Sequence, residues 1–325
     1  MKYSFAVALL ALLAGPATAQ VKLDLINEYP SNSLPGEADA FFAKTLADKT
    51  LGKITINPIP GATSGLRTRD QLKAVTEGRF AMADSFGGAL GDDSPVFLLS
   101  SLPFITPRMA DARVLYELSL PLYEQLFAER KQKLLFVVPW PPSGIWSATP
   151  VTSVDVLKAL KIRTYDKTST DVLSRVATSA TIVSFADLEP KLEAGEINAV
   201  LSSGDGGAGR QLWKYLREFS AINYAVPLSF VSISLAAWDA LDDSGRAAMT
   251  EAARETAERQ WTVLATRLEE NFKRMRENAV NISDAPPADV MSALRAAADE
   301  SVADWLARAG DDAKLVYETY RKARP

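Results

Sequence analysis

Arg163 has the clearest capacity in this sequence to bind a small anion. It lies near the end of residues 161–164, a short alternating segment that predicts a β-strand. Its planar guanidinium can donate two parallel hydrogen bonds to a carboxylate, which the ammonium of a lysine cannot reproduce. Arg163 therefore indicates a carboxylate-binding site, and an ion pair between two parts of the fold or at the surface is the alternative.

Two serines could donate hydrogen bonds to the same ligand. Ser85 and Ser202 each follow a short apolar segment, and each lies seven residues after a glycine that ends a helical pattern, Gly78 and Gly195 respectively. Ligands of open α/β sheets bind at the carboxyl ends of strands, so both hydroxyls are candidates. Capping of the following turn is the alternative for each.

Aromatic residues could form the apolar part of the pocket. Phe185 starts a helical segment after a predicted strand, and Tyr29 lies in the polar loop after the first strand. Trp140 and Trp146 flank a proline-rich segment, and Tyr224 precedes a later apolar strand. These rings suit an aromatic or branched acid, with packing in the core or at a hinge as the alternative.

Asp166 lies three residues after Arg163 and is unusual beside a carboxylate site. A carboxylate repels a bound acid unless the ligand also carries hydroxyl or ammonium groups, or unless Asp166 pairs with Arg163 or a cation. We therefore include Asp166 among the candidate ligand-binding residues, for an acid that carries a hydroxyl or an amino group.

The composition excludes several kinds of chemistry. The 325 residues contain no His and no Cys, which rules out a Ser-His-Asp triad, a Cys-His dyad, a zinc site of thiolates or imidazoles, and disulfides. A net charge of −4 gives no basic surface for nucleic acid. No cofactor and no metal site is expected, and the partner is a small molecule or another protein.

The N-terminus resembles a secretory signal. Lys2 precedes an apolar run from Phe5 to Ala14, and the triplet Ala17-Thr18-Ala19 is typical of a cleavage site. We therefore expect residues 1–19 to be a signal peptide and the mature protein to be periplasmic. No later segment is apolar for 18 residues, so no membrane insertion of the mature chain is expected.

The mature chain has the pattern of a two-lobed α/β protein. Strand and helix patterns alternate as β-α-β-α-β over residues 21–85 and again over residues 161–202, which predicts two lobes with mainly parallel sheets. Residues 137–144 and 224–232 are predicted to cross between the lobes as a hinge. Residues 244–279 predict one long helix that braces both lobes.

These segments resemble the extracytoplasmic solute-binding proteins of tripartite ATP-independent periplasmic (TRAP) transporters. The similarity extends over essentially the whole mature chain and depends on the order and spacing of several short motifs. They are LKAVTEGRFAMADS at 72–85, SLPF at 101–104, LKIR at 160–163, FADL at 185–188, LEAGEIN at 192–198 and LAAWDAL at 235–241.

The resemblance implies a binding protein whose cleft closes on an organic acid and delivers it to membrane permease subunits. It places the family's carboxylate-binding arginine on Arg163 and its amide-bearing ligand position on Ser202, a departure from the pattern. A second arginine of sugar-acid binders falls near Ser143. The expected lobes are residues 20–141 with 228–267, and residues 142–227 with 268–325.

Two other functions remain open from the sequence. One is a secreted lyase or glycosidase that uses paired carboxylates, although the sequence offers no second positioned acid. The other is a ligand-sensing periplasmic protein of a signalling system. The binding protein without chemistry is the leading interpretation.

Overall fold

The computed structural model describes residues 20–106 and 108–323, so the predicted signal peptide lies outside the described residues. The strands are β1 Val21–Asn27, β2 Ile54–Ile59, β3 Met82–Phe86, β4 Gln132–Pro139, β5 Ser143–Ser147, β6 Lys161–Thr164, β7 Ser179–Ile182, β8 Ala199–Ser203, β9 Glu218–Ser220, β10 Leu228–Ser234 and β11 Asn281–Ser283. The α-helices are α1 Leu34–Lys49, α2 Thr68–Thr76, α3 Met109–Glu129, α4 Val154–Lys158, α5 Lys167–Ser174, α6 Leu188–Glu193, α7 Gly204–Gly209, α8 Leu235–Asp239, α9 Asp243–Glu277, α10 Ala288–Arg308 and α11 Asp311–Ala323.

The first lobe contains a five-stranded sheet with the order β2-β1-β3-β10-β4. β1 pairs in parallel with β2 and β3, and β10 is antiparallel to both of its neighbours. The predicted order β-α-β-α-β is confirmed, although β3 begins two residues later than the apolar segment indicated. The buried side chains of α1 and α9 pack on one face of this sheet.

The second lobe contains a six-stranded sheet with the order β11-β9-β5-β8-β6-β7. Only β5 runs antiparallel to its neighbours, so each sheet is mainly parallel with one antiparallel strand. The two lobes also share a detail of chain geometry. Gly78 and Gly195 follow α2 and α6 with φ of 73° and 67°, a conformation that favours glycine and ends each helix as predicted.

Two crossovers connect the lobes. Residues 140–142 join β4 of the first sheet to β5 of the second, and residues 221–227 join β9 back to β10. They lie side by side, because the backbone N–H of Trp140 donates to the carbonyl of Pro227 and that of Ser143 to the carbonyl of Ala225, both at 2.9 Å. The predicted pair of hinge segments is confirmed.

The long helix α9 braces both lobes, as predicted. Its 35 residues begin after Asp242, whose carboxylate accepts a hydrogen bond from the backbone N–H of Gly245 at 2.7 Å. The helix contacts α1 and β4 of the first lobe and α7 and β11 of the second. The fold is therefore that of a two-lobed binding protein.

The last two helices contact both lobes. α10 contacts α4 and α5 of the second lobe, and near its C-terminal end Nε1 of Trp305 donates to the carbonyl of Pro95 in the first lobe at 2.7 Å. α11 contacts α3 of the first lobe. The hydroxyl of Tyr320 donates to the carbonyl of Ile105 at 2.7 Å and fixes α11 on that lobe. α11 therefore contacts the first lobe, although residues 268–325 are expected in the second, and the domain bounds stay a prediction.

Gly207 allows close packing inside the second lobe, and its replacement should be costly. A Cβ atom on Gly207 would overlap the indole of Trp146, which is buried and held by a hydrogen bond from Nε1 to the carbonyl of Ser203 at 3.2 Å. We expect Gly207→Ala to lower the free energy of unfolding by about 1 to 3 kcal/mol in urea denaturation. Gly209→Ala is the matched control, since its Cβ would meet only ordinary contacts from 3.4 Å. Equal stability of both variants would contradict this packing argument.

Candidate ligand-binding site

A cavity lies between the lobes beside the two crossovers. About 290 Å³ of it is free of atoms, including the opening, and an outer cavity of about 810 Å³ continues from it. Five of the nine candidates from the sequence line the inner cavity, namely Tyr29, Trp140, Arg163, Phe185 and Ser202. The other lining residues are Phe86, Ser143, Tyr165, Ser203 and Pro227.

The guanidinium of Arg163 is held in place by backbone carbonyls. Arg163 lies on β6 and is 3% exposed. Its Nε donates to the carbonyl of Val183 at 2.8 Å and its Nη1 to the carbonyl of Leu201 at 3.0 Å. No described residue accepts a hydrogen bond from Nη2, so this edge of the guanidinium is available to a ligand.

Arg163 also lacks a close countercharge among the described residues. None of their carboxylate oxygens lies within 4.0 Å of its nitrogens. Burial lowers the pKa of Arg163, which the negative charge of Glu28 and Asp166 partly opposes, but an arginine remains charged in proteins. A bound carboxylate would therefore neutralise a buried cation as well as accept its hydrogen bonds.

Aromatic rings from both lobes form the walls of the cavity. Tyr29 lies against Phe185 and Trp140, with ring centroids 4.7 Å and 4.6 Å apart. Phe86 packs edge to face on Tyr165 at 5.3 Å. The guanidinium of Arg163 lies 5.9 Å from the ring centroids of both Phe185 and Tyr165. These rings exclude water from the site and offer flat surfaces to a ring-shaped or branched ligand.

Hydroxyl groups supply the other polar contacts of the cavity. Ser202 lies at the end of β8, and its Oγ makes no hydrogen bond to the described residues. Ser203 instead caps α7 by accepting from the backbone N–H of Gly206 at 3.1 Å. The hydroxyl of Tyr165 lies 3.4 Å from that of Ser143. Ser202 is thus the predicted hydroxyl that stays available to a ligand.

Three sequence-predicted residues have other partners. The hydroxyl of Ser85 donates to Oε1 of Gln71 at 2.8 Å inside the first lobe. Trp146 is part of the core of the second lobe. Tyr224 lies in the second crossover, where its ring packs on Phe104 at 5.4 Å. None of the three lines the inner cavity, and the buried hydroxyl of Tyr224 has no hydrogen-bond partner among the described residues, so contact of these three with a ligand stays a prediction.

Asp166 lies at the outer cavity rather than the inner one. One carboxylate oxygen caps α5 by accepting from the backbone N–H and the hydroxyl of Ser169, at 2.7 Å and 2.6 Å. The other oxygen is buried and lies close to Gly88. Burial raises the pKa of Asp166 to about 6, although the hydrogen bonds from Ser169 lower it. Contact between Asp166 and a ligand stays a prediction.

Sequence reasoning missed Tyr165 and Phe86 as cavity residues. Tyr165 lies two residues after Arg163, so the two-residue period of an extended chain could have placed both on one side. Phe86 follows Ser85 and ends β3, and successive side chains of a strand lie on opposite faces of the sheet. The sequence holds no comparable signal for Pro227, which depends on how the crossovers pair.

An ion pair closes one edge of the cleft. Arg67 precedes α2 in the first lobe, and Asp187 precedes α6 in the second. Nη2 of Arg67 lies 2.6 Å from Oδ1 of Asp187, and its Nε lies 3.1 Å from both carboxylate oxygens. This contact raises the pKa of Arg67 and lowers that of Asp187. The lobes are therefore in contact across the cleft.

Two buried carboxyl groups lie behind the cavity in the first lobe. The amide nitrogen of Asn27 lies 2.7 Å from Oδ2 of Asp39 and 3.3 Å from Oδ2 of Asp84. Oδ1 of Asn27 accepts from the backbone N–H of the cavity residue Tyr29 at 2.8 Å. Burial raises the pKa of Asp84 to about 7, and burial together with Asp84 raises that of Asp39. The pair therefore retains a proton well above the ordinary range of aspartate.

Neither a metal cluster nor a membrane-spanning helix is found within residues 20–106 and 108–323. No group of three or more acidic side chains in this part of the chain is arranged to hold a metal ion. Its helices are too short or too polar to cross a bilayer.

Known proteins with this fold bind solutes. The family described as bacterial extracellular solute-binding protein, family 7, matches residues 27–308. A solute-binding protein of Chromohalobacter salexigens is 23% identical over 264 residues, which cover 79% of this chain and 77% of that relative. These proteins are receptors and not enzymes, in agreement with the leading interpretation of the sequence.

Two solved structures are also similar. DctP6 of Bordetella pertussis, an extracytoplasmic solute receptor binding pyroglutamic acid, is 27% identical, covers 93% of this chain and all of its own, and has a TM-score of 0.88. A marine metagenome TRAP solute-binding protein specific for pyroglutamate is 25% identical, covers 94% of this chain and 99% of its own, and has a TM-score of 0.87. The chain therefore belongs to family 7 of the bacterial extracellular solute-binding proteins, which includes the receptors of TRAP transporters.

Proposed function

We propose that this protein captures a small organic acid in the cleft between its lobes and delivers it to the membrane permease of a TRAP transporter. The observation that carries the proposal is the buried guanidinium of Arg163, which has a free edge toward the cavity and no close countercharge among the described residues. The family supports the permease as partner. The signal-like residues 1–19 support a cleaved leader and a periplasmic location.

The cavity favours a monocarboxylate with a small neutral ring. It offers one guanidinium, a free hydroxyl on Ser202 and aromatic walls, and none of its described lining residues carries a carboxylate that could neutralise an ammonium. Pyroglutamate, which the two similar receptors bind, has one carboxylate and a neutral lactam. We therefore propose ligands of the pyroglutamate type.

Thermal unfolding with matched ligands tests this proposal. The protein from Gln20 onward, refolded to remove carried-over ligand, should be stabilised by L-pyroglutamate by about 2.7 kcal/mol at 100 times the dissociation constant. L-proline has a similar ring and carboxylate but a charged nitrogen, and 2-pyrrolidinone has the lactam without the carboxylate. Both should stabilise far less.

Each outcome of the ligand panel has a separate meaning. Equal stabilisation by proline would contradict the preference for a neutral ring. Equal stabilisation by 2-pyrrolidinone would contradict recognition through the carboxylate. If hydroxy, keto, aromatic and sugar acids also fail to stabilise the protein, the organic-acid receptor is the wrong proposal.

A further inference from the structure

The buried carboxylate of Glu28 accepts hydrogen bonds from both lobes at the edge of the cleft. Glu28 follows β1 in the first lobe and is 2% exposed. Its Oε2 accepts from the backbone N–H and the hydroxyl of Thr68 in the same lobe, at 2.7 Å and 2.8 Å. Its Oε1 accepts from the backbone N–H of Ala186 in the second lobe at 2.9 Å. The carboxylate is thus fully engaged only when the lobes meet.

Both partners of Glu28 are at helix starts that lack a cap of their own. Thr68 is the first residue of α2, and the preceding Arg67 provides no side-chain cap. Ala186 lies in the short 3₁₀ helix Phe185–Asp187 that leads into α6, and the preceding Ser184 provides none either. The first N–H groups of a helix need external acceptors, and a carboxylate is favoured there. Opening the cleft would remove the acceptor from Ala186.

The Glu28 contact is adjacent in sequence to the walls of the cavity. Tyr29 follows Glu28, and Phe185 precedes Ala186, so the hydrogen bond between the lobes lies beside the Tyr29–Phe185 ring contact. The ion pair from Arg67 to Asp187 lies on the residues just beyond. Three neighbouring contacts therefore form along one edge of the cleft when it closes.

We propose that Glu28 is the positioning residue that holds the cleft closed over a bound acid, by capping helix starts of both lobes at once. This inference rests on the proposed function. Glu28 acts through the positions of Tyr29 and Phe185 and does not line the inner cavity itself. Because the contact exists only in the closed state, its loss acts on escape of the ligand more than on entry.

The first test is the binding kinetics of L-pyroglutamate to Glu28→Gln. Glutamine has the same shape but one acceptor oxygen, so an N–H donor would face either Ala186 or Thr68. We expect the dissociation rate to rise about tenfold to hundredfold with the association rate changed less than about threefold. Thr68→Val is the matched control, because it loses a contact within the first lobe and keeps the one between lobes. It should reduce stability without raising the dissociation rate.

The second test measures closure directly. The chain has no Cys, so Lys73→Cys in the first lobe and Lys158→Cys in the second can carry the only two spin labels. Both side chains are exposed. The distance between the two labels, measured by pulsed electron paramagnetic resonance, should show a closed population in the otherwise unchanged protein, and L-pyroglutamate should enlarge it. Glu28→Gln should reduce the closed population both with and without L-pyroglutamate.

The outcomes separate this inference from the proposed function. Closure that is the same with and without Glu28→Gln overturns the role of Glu28 whether or not an acid binds. A protein that closes, depends on Glu28 and binds no acid of the panel keeps this role and loses the organic-acid receptor. A protein with no closed population in any condition overturns the role of Glu28.

Discussion

Replacing Arg163 with glutamine should raise the dissociation constant for a carboxylate ligand by about a hundredfold or more. Glutamine has no charge and can replace at most part of the hydrogen bonding to the carbonyls of Val183 and Leu201. The ligand would then bring its own charge into a buried cavity without a cation to neutralise it. Thermal shift with L-pyroglutamate and isothermal titration calorimetry both report this loss.

Two further variants make the Arg163 result specific. Arg163→Lys keeps the charge and loses the planar fork, so it should bind more weakly than the native protein and more tightly than Arg163→Gln. Arg175→Gln removes an arginine that forms ion pairs with Glu300 and Asp304 on the outside of the same lobe, and should leave binding unchanged. Native affinity in a folded Arg163→Gln protein would contradict this site.

Replacing Asp84 with asparagine should reduce the pH dependence of stability between about pH 4 and pH 7, while Asp39, whose pKa burial also raises, keeps its own share. The folded protein holds a proton on the Asp39 and Asp84 pair that an unfolded aspartate releases near pH 3.9. The stability linked to this proton is complete below the unfolded pKa and is lost as the pH rises through about 7. Because of this pair, the free energy of unfolding of the native protein should fall by about 2 to 4 kcal/mol between pH 4 and pH 8.

Urea denaturation from pH 4 to pH 8 measures this effect as a difference between variants. Asp84→Asn should reduce the difference in the free energy of unfolding between pH 4 and pH 8. At pH 8 it should be more stable than the native protein. Asp155→Asn changes an exposed aspartate, 92% accessible, and is the control for general effects of charge. Parallel profiles for the native protein and Asp84→Asn would show that Asp84 does not hold a proton in this pH range.

The elements of the fold are largely predictable from the sequence because they depend on local patterns. Gly78 and Gly195 mark the ends of two helices, and the uninterrupted polar and apolar repeat after Ser244 predicts α9. The lobe on which a helix packs depends instead on contacts between residues that are distant in the sequence. The pattern of α11 shows that one face is buried, but not that this face packs on α3 of the first lobe.

The binding site is only partly predictable for the same reason. Arg163 stands out because few side chains suit a carboxylate, and the motif around it is local. Trp146 was expected at the ligand, but its position depends on Gly207, which is distant in the sequence. Asp166 caps α5 through Ser169, three residues later, a spacing that is typical of helix starts and favours a structural role for one of its two oxygens.

The long helix α9 also restricts how the lobes can move. Its 35 residues form a rod about 52 Å long that lies against both lobes, while the paired crossovers join them at another place. The stiff helix α9 and the paired crossovers together resist sliding and twisting of one lobe against the other. Rotation about a single axis is then the relative motion of the lobes that meets the least resistance. We therefore expect the cleft to open along one path, so that each solute molecule enters by the same route. Few relative positions of the lobes then have to be sampled before the closed, bound state forms.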